Sequence, residues 1–239
     1  MFLSVIVPAY NEEKRIGRTL SLISDYLKDK DFGYEVIVVD DGSGDMTVNE
    51  VETSKLFRGN NLKLIKNGVN RGKGFSVKRG ILESVGEYVL ICDADMSTPI
   101  PEVEKLLVYM PQGNDIVLGS RSIKGADIRV AQPFQRRIMG KTFNLLVKMF
   151  LFRGINDTQC GFKLCRGDLA RRLAEKMRID GFSFDVEILY LALRSGYTIK
   201  EVGVVWINSA DSRVHPVFSS LQMMRDILRI KFIHKKIAL

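Results

Sequence analysis

The chain has 239 residues, room for one α/β domain or two small ones and for a sizeable buried core. A formal charge of +8 asks for an anionic partner: nucleotide phosphate, a membrane surface or nucleic acid. Three cysteines and two histidines, with no CxxC pair, argue against a disulfide framework and a zinc site and favour a reducing, cytosolic setting. There is no repeat, no low-complexity linker and no apolar run as long as a membrane span.

Met1 to Pro8 lacks a charged leader and a cleavage site, so it is expected to be the first strand and not a signal peptide. Asn11 is placed to cap the next helix, with Glu12 and Glu13 in its first turn. Ile16, Leu20, Ile23 and Leu27 then give that helix one apolar face. A second strand, Tyr34 to Val39, ends in Asp40-Asp41-Gly42-Ser43, so neighbouring parallel strands should deliver carboxylates to one edge of the sheet. Leu62 to Ile65 is a third, shorter strand. The basic glycine-rich turn Asn70-Arg71-Gly72-Lys73-Gly74 precedes the following helix, where backbone N–H groups and a lysine can cradle an anion. It lacks the spacing of a P-loop, and no GxGxxG follows the first strand.

The run Glu87-Tyr88-Val89-Leu90-Ile91-Cys92 is apolar enough for a central strand buried on both faces, and it stops at Asp93-Ala94-Asp95. Ligands of open α/β sheets sit beyond the carboxyl ends of strands. Two aspartates one residue apart can face the same way there and share one Mg²⁺ or Mn²⁺. The competing explanation is a turn, with Thr98 capping a helix begun by Pro99. Ile100, Val103, Leu106, Leu107 and Met110 form the stripe of the next helix, and Asp115 to Gly119 a further strand. The alternation predicts a doubly wound α/β sheet. From Phe134 to Arg153 the chain is helical, apolar and basic on one side at Arg137, Lys141 and Lys148. Ile155 to Lys163 is a strand or turn near a site; Phe182 begins a helix with Val186, Leu189, Tyr190 and Leu193 inward; Ile199 to Ile207 is a last strand. Asn208 to Arg213 makes a loop able to close over a ligand. Val217 to Leu239 is a second apolar and basic segment, and two such segments suit a membrane surface as well as they suit core helices with a solvated basic face.

Six blocks in order carry a resemblance: Val5 to Glu12, Val38 to Ser43, Asn70 to Gly74, Asp93 to Asp95, Gly119 to Arg121 and Asp157 to Lys163. Over nearly the whole chain they resemble the inverting family-two glycosyltransferases of GT-A fold, within them the dolichyl-phosphate glucosyl- and mannosyltransferases. The resemblance implies one domain over 1–239 with a mostly parallel sheet flanked by helices. Residues 1–125 would bind the nucleotide-sugar donor, and 126–239 would form the acceptor side with amphipathic interface helices. It implies Mg²⁺ or Mn²⁺ at Asp93 and Asp95, and a polyprenyl phosphate acceptor met peripherally on the cytoplasmic side of a membrane. Carried over by position, Pro8, Tyr10 and Glu12 line the base and ribose pocket, Asp40 contacts uracil or ribose, and Arg121 and Arg213 clamp phosphates with Lys73 assisting. Ser97-Thr98-Pro99 departs from the Gln-His-Pro of the mannosyl enzymes and resembles the glucosyl branch. UDP-glucose is therefore the expected donor, with GDP-mannose or a UDP-N-acetylhexosamine as alternatives.

The residues suit that chemistry independently, because a lipid phosphate, with a second pKa of roughly 6, needs no general base to become a nucleophile. Asp157 and Glu187 are the other acids placed near the acceptor, each equally well explained by a structural hydrogen bond. A family-two enzyme acting on a hydroxyl would need a base and would leave the two basic segments unexplained. A nucleotide or nucleic-acid binding module is disfavoured, since the basic residues are not interleaved with exposed aromatics.

Overall fold

A computed structural model describes residues 1–130, 134–208 and 216–235; the side chains at 134, 136 and 216–221 fall outside it as well. Its elements in chain order are β1 (Leu3–Ala9), α1 (Ile16–Leu27), β2 (Tyr34–Asp40), α2 (Thr47–Glu52), α3 (Lys55–Arg58), β3 (Leu62–Lys66), α4 (Lys73–Leu82) and β4 (Tyr88–Ile91). Then follow α5 (Val103–Leu107), β5 (Ile116–Ser120), β6 (Asp127–Val130), α6 (Phe134–Phe150), β7 (Lys163–Arg166), α7 (Gly167–Lys176), α8 (Phe184–Arg194), β8 (Ile199–Gly203), β9 (Val205–Ile207) and α9 (Pro216–Ile233).

Seven strands form one sheet in the order β3-β2-β1-β4-β7-β5-β8. All neighbours are parallel except at β7, which runs antiparallel to both β4 and β5. Every residue of β1 is buried, as a strand sandwiched between helical layers must be. Leu3, Val5 and Val7 point to the face covered by the α1 stripe Ile16, Leu20, Ile23 and Leu27, whereas Ile6 points to the face covered by α4, α7 and α8. The expected stripe of α1 is thus its buried face.

Three expectations change. Asn11 does not cap α1, which begins four residues beyond the Glu12 side of the turn at Ile16 and has no acid in its first turn. Asn11 instead takes φ +53 and ties two loops together: its N–H donates to Ser43 Oγ (2.9 Å) and its Oδ1 accepts from the Gly44 N–H (2.8 Å). Asparagine tolerates this left-handed backbone better than most residues. The last strand is two strands. It breaks at Val204, so that β8 completes the large sheet while β9 pairs with β6 in a small second one. The cap at Thr98 is also absent, since the 3₁₀ turn Ile100–Glu102 has Pro99 at its N-cap position and no side-chain cap.

α6 and α9 lie together outside the sheet, joined by Phe143, Val147, Ile227 and Ile230 over Val186 and Tyr190 of α8. That arrangement leaves α8 enclosed, with Phe184 to Ala192 buried throughout rather than along one stripe. No helix among the described residues is long and apolar enough to cross a membrane.

Candidate active site

Because β1, β2 and β4 run parallel, their carboxyl ends open onto the same edge, and a cavity of about 910 Å³ lies there. Pro8, Tyr10, Glu12, Lys73, Asp93, Asp95 and Arg121 all line it. Asp40 does not. Its carboxylate turns back to accept from the N–H groups of Gly42 and Ser43 (3.2 and 3.3 Å), and it is the neighbouring Asp41 that reaches the cavity. Arg213 lies outside the described residues. The strand that leads toward it is anchored, because Ile207 N–H donates to Ser97 O (2.8 Å) and Val205 N–H to Glu102 Oε2 (2.9 Å).

At the centre, Lys73 Nζ lies 2.6 Å from Asp93 Oδ1. Burial opposes the lysine's charge, but the Asp93 and Asp185 carboxylates outweigh it and hold the ammonium above its ordinary range. Asp95 Oδ1 accepts from the Ser97 N–H (2.9 Å), so one oxygen does serve the turn while the carboxylate remains on the cavity wall. Arg121 is locked in place: Nε and Nη2 make a bidentate pair with Asp157 (2.7 and 2.8 Å), its backbone N–H adds a third bond, and its guanidinium lies over Trp206. Burial raises the carboxyl of Asp157, yet Arg121 outweighs it and keeps it below the usual carboxylate range. Asp157 is thereby committed to positioning Arg121. Glu187 is fully buried, bonded to His234, and does not line the cavity.

Several roles at the site escaped the sequence reading. Asp41 Oδ1 and Oδ2 accept from the N–H groups of Arg71 and Gly72 (3.0 and 2.8 Å), shaping the glycine-rich turn, and Arg71 stacks on Phe75 at the cavity edge. Asp185, from the start of α8, forms part of the floor and takes the wholly buried Lys163 ammonium at 2.5 Å. Lys163 was visible only as the end of a polar stretch bracketed by apolar residues. Burial pushes the thiols of Cys92 and Cys160 up, the latter to about 11, so both remain protonated core groups.

The opposite end of the cavity differs in character. Ile138, Met139, Phe143 and Leu146 of α6 and Met223 and Met224 of α9 make it apolar. One cavity therefore joins a charged end able to take phosphates and a hard cation to an apolar mouth between two helices.

A mostly parallel sheet with acids at its strand ends, a lysine-bearing glycine turn and paired aspartates on one crevice defines a glycosyltransferase of GT-A fold. Residues 4–173 match Glycosyl transferase family 2, and the chain belongs to that family. It is 42% identical over 244 residues to the dolichyl-phosphate beta-glucosyltransferase of Dictyostelium discoideum, covering 97% of this chain and 74% of that one. To the Homo sapiens protein of the same name it is 37% identical over 241 residues, covering 96% and 74%. Among solved structures, the glucosyl-3-phosphoglycerate synthase of Mycobacterium tuberculosis in complex with Mn²⁺, UDP-glucose and phosphoglyceric acid superposes with a TM-score of 0.70 at 19% identity. That match covers 96% of this chain and 79% of the other and establishes the shared fold.

Gly161 allows Asp93 its place. A Cβ on this residue would fall within the Asp93 carboxylate. The carboxylate is the end of a short, half-buried side chain and can swing aside, so Gly161→Ala should change Tm little. Displacing it should lower turnover roughly ten-fold. Normal turnover in that variant, measured alongside its melting curve, would show that the position of Asp93 does not matter.

Proposed function

We propose that this glycosyltransferase transfers glucose from UDP-glucose to a polyprenyl phosphate, with inversion, using a divalent cation at Asp93 and Asp95. The identity of about two residues in five with dolichyl-phosphate beta-glucosyltransferase, over nearly the whole chain, carries the choice of substrates. The cavity supports it, since its charged end suits a nucleotide diphosphate and its apolar mouth suits a hydrocarbon chain.

The residues fit the cation. Among those described, no group of three or more His, Cys, Asp or Glu would hold an ion alone. Two carboxylates with substrate phosphates and water completing the shell is the habit of Mg²⁺ and Mn²⁺. When bound, the ion would neutralise charge growing on the departing diphosphate. Lys73, the first residue of α4, and Arg71, in the turn before it, bring further positive charge to the same end, and Arg121 is held rigidly by Asp157 for that purpose. The acceptor phosphate attacks the anomeric carbon directly. No side chain has to take its proton, because it is largely ionised near neutral pH.

The expected product is β-linked, and polyprenyl phosphate should be used in preference to polyprenol. Turnover should fall as pH drops through roughly 6, where the phosphate is protonated, and Asp157→Asn or Glu187→Gln should not move that inflection. Product anomer by NMR and activity on the two acceptors decide the matter. An α-linked product, or faster transfer to the alcohol, would refute the mechanism.

Peripheral attachment to the cytoplasmic surface of an anionic membrane completes the proposal. Ile138, Leu145 and Met149 on α6, and Met224, Leu228 and Phe232 on α9, are exposed at spacings that keep each set on one side of its helix. Arg137, Lys141, Arg225, Arg229 and Lys231 flank them in the open. Three buried, unpaired cysteines accord with a reducing compartment. Each basic residue at such a surface contributes about 1 kcal/mol, screened within a Debye length. Co-sedimentation with phosphatidylserine vesicles should therefore be strong at low salt and weak at high salt. Absence of binding at low salt, or no change with salt, would remove this part.

A further inference from the structure

A carboxylate with no exposed surface sits where three walls of the cavity are tied together. Glu187 Oε1 accepts from the Arg178 N–H (2.8 Å) and Oε2 from the Ile179 N–H (2.9 Å), and Nε2 of the buried His234 lies 2.7 Å from Oε1. A carboxylate at this depth is kept only where donors surround it. The two N–H groups belong to the segment between α7 and α8, which continues as Asp180, Gly181 and Phe182 along the cavity wall. Asp180 O in turn accepts from the N–H groups of Gly74 and Phe75 (2.7 and 3.2 Å), the first turn of α4.

The two walls meet without a gap. A Cβ on Gly72 would run into the Asp180 carbonyl and one on Gly74 into the Ile179 carbonyl. Lys73 stands between those glycines and reaches Asp93, so a shift at 178–180 is passed to the charged end of the site. On the other side His234 follows the end of α9. Gln222, Met223 and Met224 of that helix face the same cavity, and Asp226, Ile227 and Ile230 are its buried positions. The charged neighbours of this knot are Asp226, raised by burial and by the Glu187 charge, and Arg225 and Arg229, which act in the opposite sense on Asp226.

We propose that Glu187 is a positioning residue: it holds segment 178–180 against the first turn of α4, thereby placing Lys73, and through His234 it fixes α9 relative to that turn. The consequence for catalysis rests on Lys73 serving the donor diphosphate, as argued above. The placement itself does not.

Amide hydrogen exchange on the unliganded full chain tests the placement. In Glu187→Gln and in His234→Leu, exchange at Gly74 and Phe75 should quicken roughly ten-fold while the amides of β1 and β2 keep their rates. His234→Gln, which still offers an N–H to Glu187, should stay near the unmodified rate. At a temperature well below Tm, His234→Leu should also raise the KM for UDP-glucose roughly ten-fold with a smaller change in kcat, and His234→Gln should restore it. Should Glu187→Gln fail to fold, the two His234 variants carry the same comparison. Unchanged exchange at Gly74 and Phe75, or faster exchange spread evenly over the sheet with KM unaltered, would overturn the proposal by reducing the pair to general stability. A local exchange response in a protein that does not use UDP-glucose would uphold the placement and refute the substrate assignment alone.

Discussion

Asp95→Asn is expected to fold as the unmodified chain does and to lose about two orders of magnitude or more in turnover. The reason is in the geometry of the turn. Asp95 Oδ1 accepts the Ser97 N–H at 2.9 Å, and an asparagine Oδ1 accepts it equally well, so the local backbone keeps its bond. What disappears is a negative charge on the cavity wall beside Asp93, the pair proposed to hold the cation. Matching circular dichroism and melting curves, with steady-state rates over a Mn²⁺ titration, separate the two effects. Turnover near the unmodified rate at saturating Mn²⁺ would show that the Asp95 carboxylate is not needed.

Lys163→Met should give the largest loss of stability, about 3–5 kcal/mol, because it leaves Asp185 buried without its cation. Lys163 is wholly enclosed on β7, bonded at 2.5 Å to both Cys160 O and Asp185 Oδ1. Burial already raises the carboxyl of Asp185, against the pull of Lys163 and Lys73. Without Lys163 the rise must grow. An acid whose folded pKa lies above its unfolded value costs nothing below the unfolded value, about 3.9, and the cost increases as pH rises toward the folded one. The deficit of Lys163→Met against the unmodified chain should therefore be smaller at pH 5 than at pH 7 in urea titrations. A loss under about 1 kcal/mol at pH 7, well short of a broken buried pair, would mean that the pair is not closed in solution.

Much of the site was legible because the residues concerned are fixed by local constraints. A strand covered on both faces has to be apolar throughout, so the abrupt arrival of Asp93 and Asp95 after Tyr88 to Cys92 marks the edge of the sheet without any knowledge of its neighbours. The glycine turn before Lys73 and the stripe of α1 are equally local. Asp40 and Asp41 show the limit. Asp40 is the last residue of β2 and Asp41 the next, and period-two alternation says that they differ in direction, but only the loop packed over β2 decides which one meets the cavity.

By itself the sequence determined the α/β class, the edge of the sheet at which the cavity opens, membership of a glycosyltransferase family and most of the residues that line the charged end. The class and the sheet edge follow from burial periodicity and short local motifs, whereas the family and its site residues follow from the resemblance carried by six blocks in order. Only the tertiary structure decided that β7 enters antiparallel between β4 and β5, that the stretch 199–207 divides between two sheets, and that α6 and α9 together form the apolar mouth. It alone paired Arg121 with Asp157, Lys163 with Asp185 and Glu187 with His234, across 36, 22 and 47 residues. A buried charge is stabilised by whichever opposite charge or donor the fold brings within hydrogen-bond reach, and distance along the chain does not enter that energy.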